Sequence, residues 1–393
     1  MISLRRTDTS IVGRWWWTVD RWTLLALALL VALGIILILA ASPPVAARLR
    51  LDAFHFVRRQ IGFAVPACVV LMLVSYLNQI GIRRLAIAGF LGSIALLTLT
   101  LFLGTEINGA RRWLDIGGFV LQPSEFAKPF FIVVTAYLLA KRQTSPGFPG
   151  IAVSALMLAL VLTFLLLQPD FGMAVVVCAV WLAQVFMAGL PLGWLVVMGA
   201  LGITGLGFAY ALLPHVASRI DRFLDPASGD SFQIETAREA FMQGGLFGRG
   251  PGEGVVKNVL PDAHTDFIFA VAGEEFGAIT CMILIALFAF VVLRGFARAL
   301  QTTNYFVLLA SAGLLIQFGA QAAINIGVNL HLMPTKGMTL PFISYGGSSL
   351  MALALLAGMV LALTRHRADL AGDLGPVERG PGARGATAGG RPS

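Results

Sequence analysis

The chain has 393 residues, 58% of them hydrophobic and only 12% charged, with a mean hydropathy of +0.84. Ordinary soluble domains carry roughly 25% charged residues, so a soluble globular enzyme is excluded. The net charge is +8, but the basic residues are scattered through loops and ends, which suits membrane orientation better than nucleic-acid binding.

Residues 1–21 read as a cytoplasmic extension, in which Arg5, Arg6, Arg14 and Arg21 alternate with Trp15, Trp16 and Trp17 as interfacial anchors. Ten apolar segments follow, at 22–41, 61–80, 85–103, 125–140, 151–167, 171–189, 192–213, 267–293, 304–325 and 347–364. Most approach the roughly 20 residues that a spanning helix needs, and only helices satisfy their own backbone across lipid in such segments. The first is too long, and its flanks too large, for a cleaved signal peptide. The expected fold is therefore an all-α polytopic membrane protein of about ten transmembrane helices. A large extracytoplasmic loop, 214–266, separates helices 7 and 8, and residues 22–364 form the membrane domain. The tail 365–393, rich in Gly, Pro, Ala and Arg, reads as disordered and cytoplasmic.

With the N-terminus in the cytoplasm, Arg83/Arg84, Lys141/Arg142, Arg294/Arg298 and Arg365/Arg367 fall on the same side, in accord with the positive-inside rule. One loop disagrees, since Arg48, Arg50, Arg58 and Arg59 face outward. Cys68, Cys178 and Cys281 lie in apolar blocks without CxxC spacing and act as small hydrophobes.

The unusual residues collect in three outer loops. In the first, Arg111, Arg112 and Trp113 are placed either to clamp phosphate through planar guanidinium forks or to anchor at lipid headgroups. Just after it, Ser124 is a candidate N-cap, and Glu125 and Lys128 share a helix face, where they form either a structural latch or part of a substrate site. In the second loop, Ser231–Phe241 can form a short amphipathic helix. Five glycines between Gly244 and Gly252 make either a flexible surface loop or a close approach to a ligand. The sequence Pro261-Asp262-Ala263-His264-Thr265-Asp266 then enters the eighth apolar segment. A carboxylate where water-exposed chain meets the bilayer is a functional candidate, although Asp is also a favoured helix cap. Glu274 and Glu275 follow. At about 100° per residue, at most one of them shares a cavity with Asp266. The third loop, Met333–Ser349, carries two prolines, three glycines and one charge, Lys336. It reads as a re-entrant or irregular segment lining a cavity, the setting where non-helical backbone is tolerated at depth.

Three blocks, NGARRWLDIGGFVLQPSEFAK, PDAHTDFIFAVAGEEFG and PTKGMTLPFISYGGSSL, together resemble the SEDS family (shape, elongation, division, sporulation) of bacterial membrane proteins, and its division branch more than its elongation branch. The resemblance implies a peptidoglycan glycosyltransferase that polymerises lipid II at the outer face of the cytoplasmic membrane, at the division septum. It would work with a class B penicillin-binding protein and other division proteins. The resemblance also makes Asp266 the catalytic residue and places Arg112, Glu125 and Lys128 in the family's polar set. Trp113, His264, Lys336 and Ser344, in the same blocks, are candidate substrate-binding residues. A Mg2+ or Mn2+ ion is a candidate cofactor, with Asp266 a candidate ligand. Two other readings stay open: a lipid II flippase, which needs a polar path to the cytoplasmic face, and a non-catalytic scaffold.

Overall fold

Each of the ten apolar runs becomes a helix, as internal backbone satisfaction in lipid requires. The computed structural model describes residues 10–107, 110–212, 216–218, 220–221, 232–334 and 337–365. The short α1 (Ile11–Thr18) leads into α2 (Arg21–Arg48), α3 (His55–Ser75) and α4 (Gln79–Leu103). After three strands come α5 (Pro123–Thr144), α6 (Gly150–Leu167), α7 (Phe171–Met187), α8 (Leu192–Leu212) and the short α9 (Phe232–Gly244). The spans α10 (Ile268–Ala299), α11 (Tyr305–Asn329) and α12 (Gly347–Leu363) complete the bundle. The predicted C-terminal tail lies outside the described residues, apart from Arg365.

Several boundaries differ from expectation. The segments expected at 61–80 and 85–103 start at His55 and Gln79, because the chain turns at 76–78. There the Asn78 side chain accepts from the Gly81 amide at 2.7 Å and caps α4. Helix α2 continues past 41 to Arg48, through Pro43 and Pro44. The segment expected at 125–140 is a 22-residue helix, long enough to span.

The loop expected at 104–124 is instead a three-stranded antiparallel sheet, formed by β1 (Thr105–Ile107), β2 (Ala110–Ile116) and β3 (Phe119–Leu121). Its second turn is Gly117-Gly118, both at positive φ, where glycine is favoured in two-residue hairpins. The Asp115 carboxylate accepts from the Gly118 amide at 2.9 Å and closes it.

Helix α11 is the buried centre, packed on α5, α7 and α10, while α12 lies along α3 and α8 is exposed at the periphery. At the end away from the loops just described, the Asp20 carboxylate accepts from Arg294 at 2.6 and 2.8 Å, joining the start of α2 to the end of α10.

Two backbone irregularities shape the other end. Helix α10 breaks at Gly277, whose φ of 79° is non-helical. The glycine-rich segment after α9 supplies the missing partners. The Arg249 and Gly250 amides donate to the Glu274 and Glu275 carbonyls at 2.9 and 3.0 Å, and the Ala278 and Ile279 amides donate to the Gly245 and Leu246 carbonyls at 2.9 and 3.3 Å. A Cβ at Gly244, Gly248 or Gly277 would overlap the opposing backbone. Gly244, Gly248 and Gly277 therefore serve close backbone approach within the protein, while a Cβ at Gly245 or Gly252 would meet open space.

The segment before α12 is the second irregularity. It is non-helical from 337 to 346 and descends until the Phe342 carbonyl packs on Gly34, where a Cβ would overlap it. Gly34 lies near the middle of the 28-residue α2, so this segment is re-entrant, as its prolines and glycines suggest.

Candidate functional site

A cavity of about 790 Å3 lies among the hairpin, the starts of α3, α5 and α7, the segment before α10 and the re-entrant segment. Its walls carry Glu125, Asp170, Asp262 and Asp266 as acids and Arg59 and Arg112 as described bases.

Asp266 does not cap α10. The capping position is Phe267, and no side chain caps it. Instead the carboxylate is on the cavity wall, and its backbone is fixed from α11. Asn325 Nδ2 and Asn329 Nδ2 each donate to the Asp266 carbonyl at 2.9 Å. Asn325 also donates to the Met338 carbonyl at 2.6 Å, and Asn329 Oδ1 accepts from the Ala270 amide at 3.1 Å. Two side chains one turn apart on a buried helix thereby hold the segment before α10 and the re-entrant segment in one register. A Cβ at Gly337 would lie 3.3 Å from Asp266 Oδ2, so the re-entrant backbone passes directly beside the carboxylate. Its neighbour Lys336, a predicted substrate cation, lies outside the described residues.

The other sequence candidates divide. Trp113 and Glu125 line the cavity, as does Arg112. Much of Arg112 is committed to the protein: Nε donates to the Gln168 carbonyl at 2.8 Å, Nη2 donates to the Pro169 carbonyl, and Nη1 lies 3.9 Å from Asp170. It ties the hairpin to the α6–α7 turn. Lys128 is buried behind Glu125, donating to its carboxylate at 2.9 Å and to the Met173 sulfur at 3.3 Å. The pair predicted from the i, i+3 spacing exists, but Glu125, not Lys128, meets the cavity.

His264 and Ser344 are not on the wall. The His264 ring packs on Phe56 and Tyr345 at 4.4 and 5.4 Å. Burial, helped by the Arg48 charge, lowers its pKa to about 4. It is a neutral ring supporting the wall. The Ser344 hydroxyl donates to the Thr265 carbonyl at 2.5 Å and accepts from the Leu340 amide at 2.8 Å, fastening the re-entrant segment beside Asp266. Both residues act from behind because their polar atoms or rings meet protein groups first.

Neither Glu274 nor Glu275 shares the cavity. Glu274 accepts the amides of Val255, Val256 and Lys257 at 2.6 to 2.9 Å, and Glu275 pairs with the buried Lys257 ammonium.

The sequence reading missed Arg59, Tyr345, Asn325 and Asn329. Arg59 lines the cavity and donates to the Gly118 carbonyl at 3.0 Å. Tyr345 also lines it, hydrogen-bonded with Arg59, and burial raises its phenol pKa against the opposing Arg59 charge. A signal for Arg59 was present in the basic loop that breaks the positive-inside pattern. Its arginines serve this end of the fold: Arg48 donates to the Leu260 carbonyl at 2.9 Å and Arg58 pairs with Asp52.

Among the described residues, no group of three or more His, Cys, Asp or Glu side chains is placed to hold a metal ion.

A family model described as cell cycle protein, FtsW/RodA/SpoVE, matches residues 20–369. A Caulobacter vibrioides protein named "Probable peptidoglycan glycosyltransferase FtsW" is 48% identical over 92% of this chain and 93% of its own length. A Trichlorobacter lovleyi protein of the same name is 37% identical over 87% of this chain and 92% of its own. Among solved structures, one chain from a study of the structural coordination of polymerization and crosslinking by a peptidoglycan synthase complex superposes with a TM-score of 0.71. It is 31% identical and covers 88% of this chain and 97% of that one. Thermus thermophilus rod shape determining protein RodA gives a TM-score of 0.66 at 32% identity, over 89% and 97% of the two chains.

Proposed function

Since the chain belongs to the FtsW/RodA/SpoVE family of cell cycle proteins, we propose that this multi-pass membrane protein is a peptidoglycan glycosyltransferase that polymerises lipid II during cell division. The observation that carries the reading is the Asp266 carboxylate on the wall of a cavity of about 790 Å3 that also holds two guanidinium groups. Lipid II joins a sugar's anomeric carbon to a polyprenyl diphosphate, already a good leaving group. The reaction then needs one base, together with cations for the departing charge, rather than the paired carboxylates of glycoside hydrolysis.

Asp266 takes the proton of the acceptor sugar hydroxyl as that oxygen bonds to the donor's anomeric carbon. The bond from that carbon to the diphosphate oxygen breaks, and its electron pair leaves with the polyprenyl diphosphate. Arg59 and Arg112, both on the cavity wall, receive the charge, and Lys336 is proposed to join them. Trp113 and Tyr345 offer ring faces to the sugars, and Glu125 an acceptor for their hydroxyls. The acidic wall does not form a metal cage by itself, and no step here depends on one. A Mg2+ or Mn2+ ion, with Asp266 a candidate ligand, would supply Lewis-acid stabilisation of the leaving group.

On this reading we propose that the cavity opens at the outer face of the cytoplasmic membrane, with both termini cytoplasmic and the protein at the septum. A class B penicillin-binding protein would cross-link the strands, alongside other division membrane proteins. The amide donors beneath the cavity are committed to the protein, Gln321 to Thr339 and Gln184 to the Ile132 and Leu309 carbonyls, which supports joining lipid II over transporting it.

The test is polymerisation of purified lipid II by the purified protein, with its transpeptidase partner and a moenomycin-type inhibitor to silence contaminating polymerases. Asp266→Asn keeps the shape and removes the basic charge, so glycan chains should vanish while the folded protein and its complex persist. Chains of normal yield from Asp266→Asn would overturn the assignment.

A further inference from the structure

The second outer loop is long and polar, yet one corner of it is apolar and exposed. Met242 at the end of α9 is 73% exposed, and Leu246 and Phe247 in the following turn are 63% and 80% exposed. The outward face of α9 changes character along its length. After the half-exposed Phe232 at its first position, Glu235, Arg238 and Glu239 are exposed in its first turns, and Met242 takes over at its last.

The corner is also continuous with a face that meets lipid. The Ala278 and Ile279 amides donate to the Gly245 and Leu246 carbonyls, so Gly245 and Leu246 are bonded to α10 at the level of Ile279, and Phe247 is the next residue in the chain. Below them on α10, exposed and apolar, come Ile279, Met282, Ile283, Phe290 and Leu293. This stripe ends at Arg294, which bonds Asp20 at the far interface. Ile279 precedes Arg294 by 15 residues (294 − 279), or about 22 Å at 1.5 Å per residue. The hydrocarbon core is about 30 Å thick. With Arg294 taken as the far boundary and α10 as upright, the corner lies about 8 Å inside the hydrocarbon, within the roughly 5–10 Å over which amphipathic elements bury their apolar faces.

We propose that Met242, Leu246 and Phe247 form a membrane-inserted corner whose partner is the acyl chains of the leaflet on the cavity side. The charged start of α9 stays among the headgroups, and the corner enters the hydrocarbon. Gln233, in the first turn of α9, lines the cavity, so one wall of the site takes its height from the bilayer. The proposal concerns lipid contact and stands whether or not the cavity polymerises lipid II.

The test uses the full chain with Cys68 and Cys178 replaced by Ala and the buried Cys281 retained. An environment-sensitive fluorophore is attached at Phe247→Cys, with Leu246→Cys as a second position should the first disturb folding. The protein is reconstituted into phosphatidylcholine–phosphatidylglycerol vesicles without any partner protein. The expected result is at least twofold quenching by lipids carrying a spin label near the top of the acyl chain, matching a probe at Met282→Cys, with little quenching by iodide. A probe at Arg238→Cys should show the reverse. Iodide quenching at position 247 equal to that at 238 would overturn the proposal by placing the corner in water. Protection from both quenchers would overturn it by showing that protein covers the corner.

Discussion

Asn325 holds Asp266 in place, its side-chain amide reaching the Asp266 carbonyl at 2.9 Å and the Met338 carbonyl at 2.6 Å. Asn325→Leu should cost about 1–3 kcal/mol, the penalty for leaving buried carbonyls without a donor. It should also lower turnover about 100-fold, because misplacement by about 1 Å is enough for that. Asn325→Gln, which keeps the amide on a longer arm, should recover part of the turnover. Lipid II polymerisation measured beside thermal unfolding separates the two effects. Loss of stability with unchanged turnover per folded molecule would count against a positioning role.

The Glu125–Lys128 pair can be dissected by a double-mutant cycle. Lys128→Met alone leaves a buried carboxylate unpaired and should cost about 3–5 kcal/mol, whereas Glu125→Gln with Lys128→Met should recover most of it. Turnover should stay low in the double variant, because Glu125 meets the cavity and Lys128 does not. Full recovery of activity along with stability would make the pair a latch alone.

Arg59→Ala should reduce kcat/KM about 100-fold or more, the scale for removing one donor from a developing anion. Arg59→Lys should fall between Ala and the wild type, since a point charge replaces a fork. Steady-state assays over a range of lipid II concentrations test this, and wild-type parameters in Arg59→Ala would remove Arg59 from the reaction.

His264 predicts a pH dependence of stability. Its folded pKa of about 4 lies below the ordinary 6.5. Between those values the unfolded chain binds the proton and the folded one does not, so stability rises with pH across that window. Falling from pH 6.5 to pH 4 should cost up to about 3 kcal/mol at 1.36 kcal/mol per unit. Unfolding midpoints across this range should fall more steeply for the wild type than for His264→Phe, and identical slopes would contradict the assignment.

The ten helices, seven of them among the described residues long and apolar enough to cross a membrane, and the position of Asp266 were legible because each depends on a local pattern: a long apolar run, or a charge at its edge. The re-entrant segment could be read for the same reason, from Pro334, Pro341 and the adjacent glycines. The hairpin is signalled in the sequence only by Gly117-Gly118 between Ile116 and Phe119, because its three-residue outer strands are too short to show an alternating pattern. The roles of Arg59, Asn325 and Asn329 could not be read locally. Arg59 precedes Gly118 by 59 residues and Asn325 follows Asp266 by 59, and no periodicity links such positions. The glycines after α9 were misjudged for a related reason, since the backbone they approach belongs to another helix.

That backbone lock has a mechanical consequence. Four main-chain hydrogen bonds join the turn after α9 to α10 on both sides of Gly277, and Glu274 grips three successive amides of the returning strand of chain. Main chain is far less compliant than side-chain packing, so α9 and the first turns of α10 form a stiff lever with Asp266 just beyond its end. A load applied to the start of α9 would reach α10 through main chain at Glu274 and Glu275, where it would act against the hold that Asn325 and Asn329 keep on Asp266.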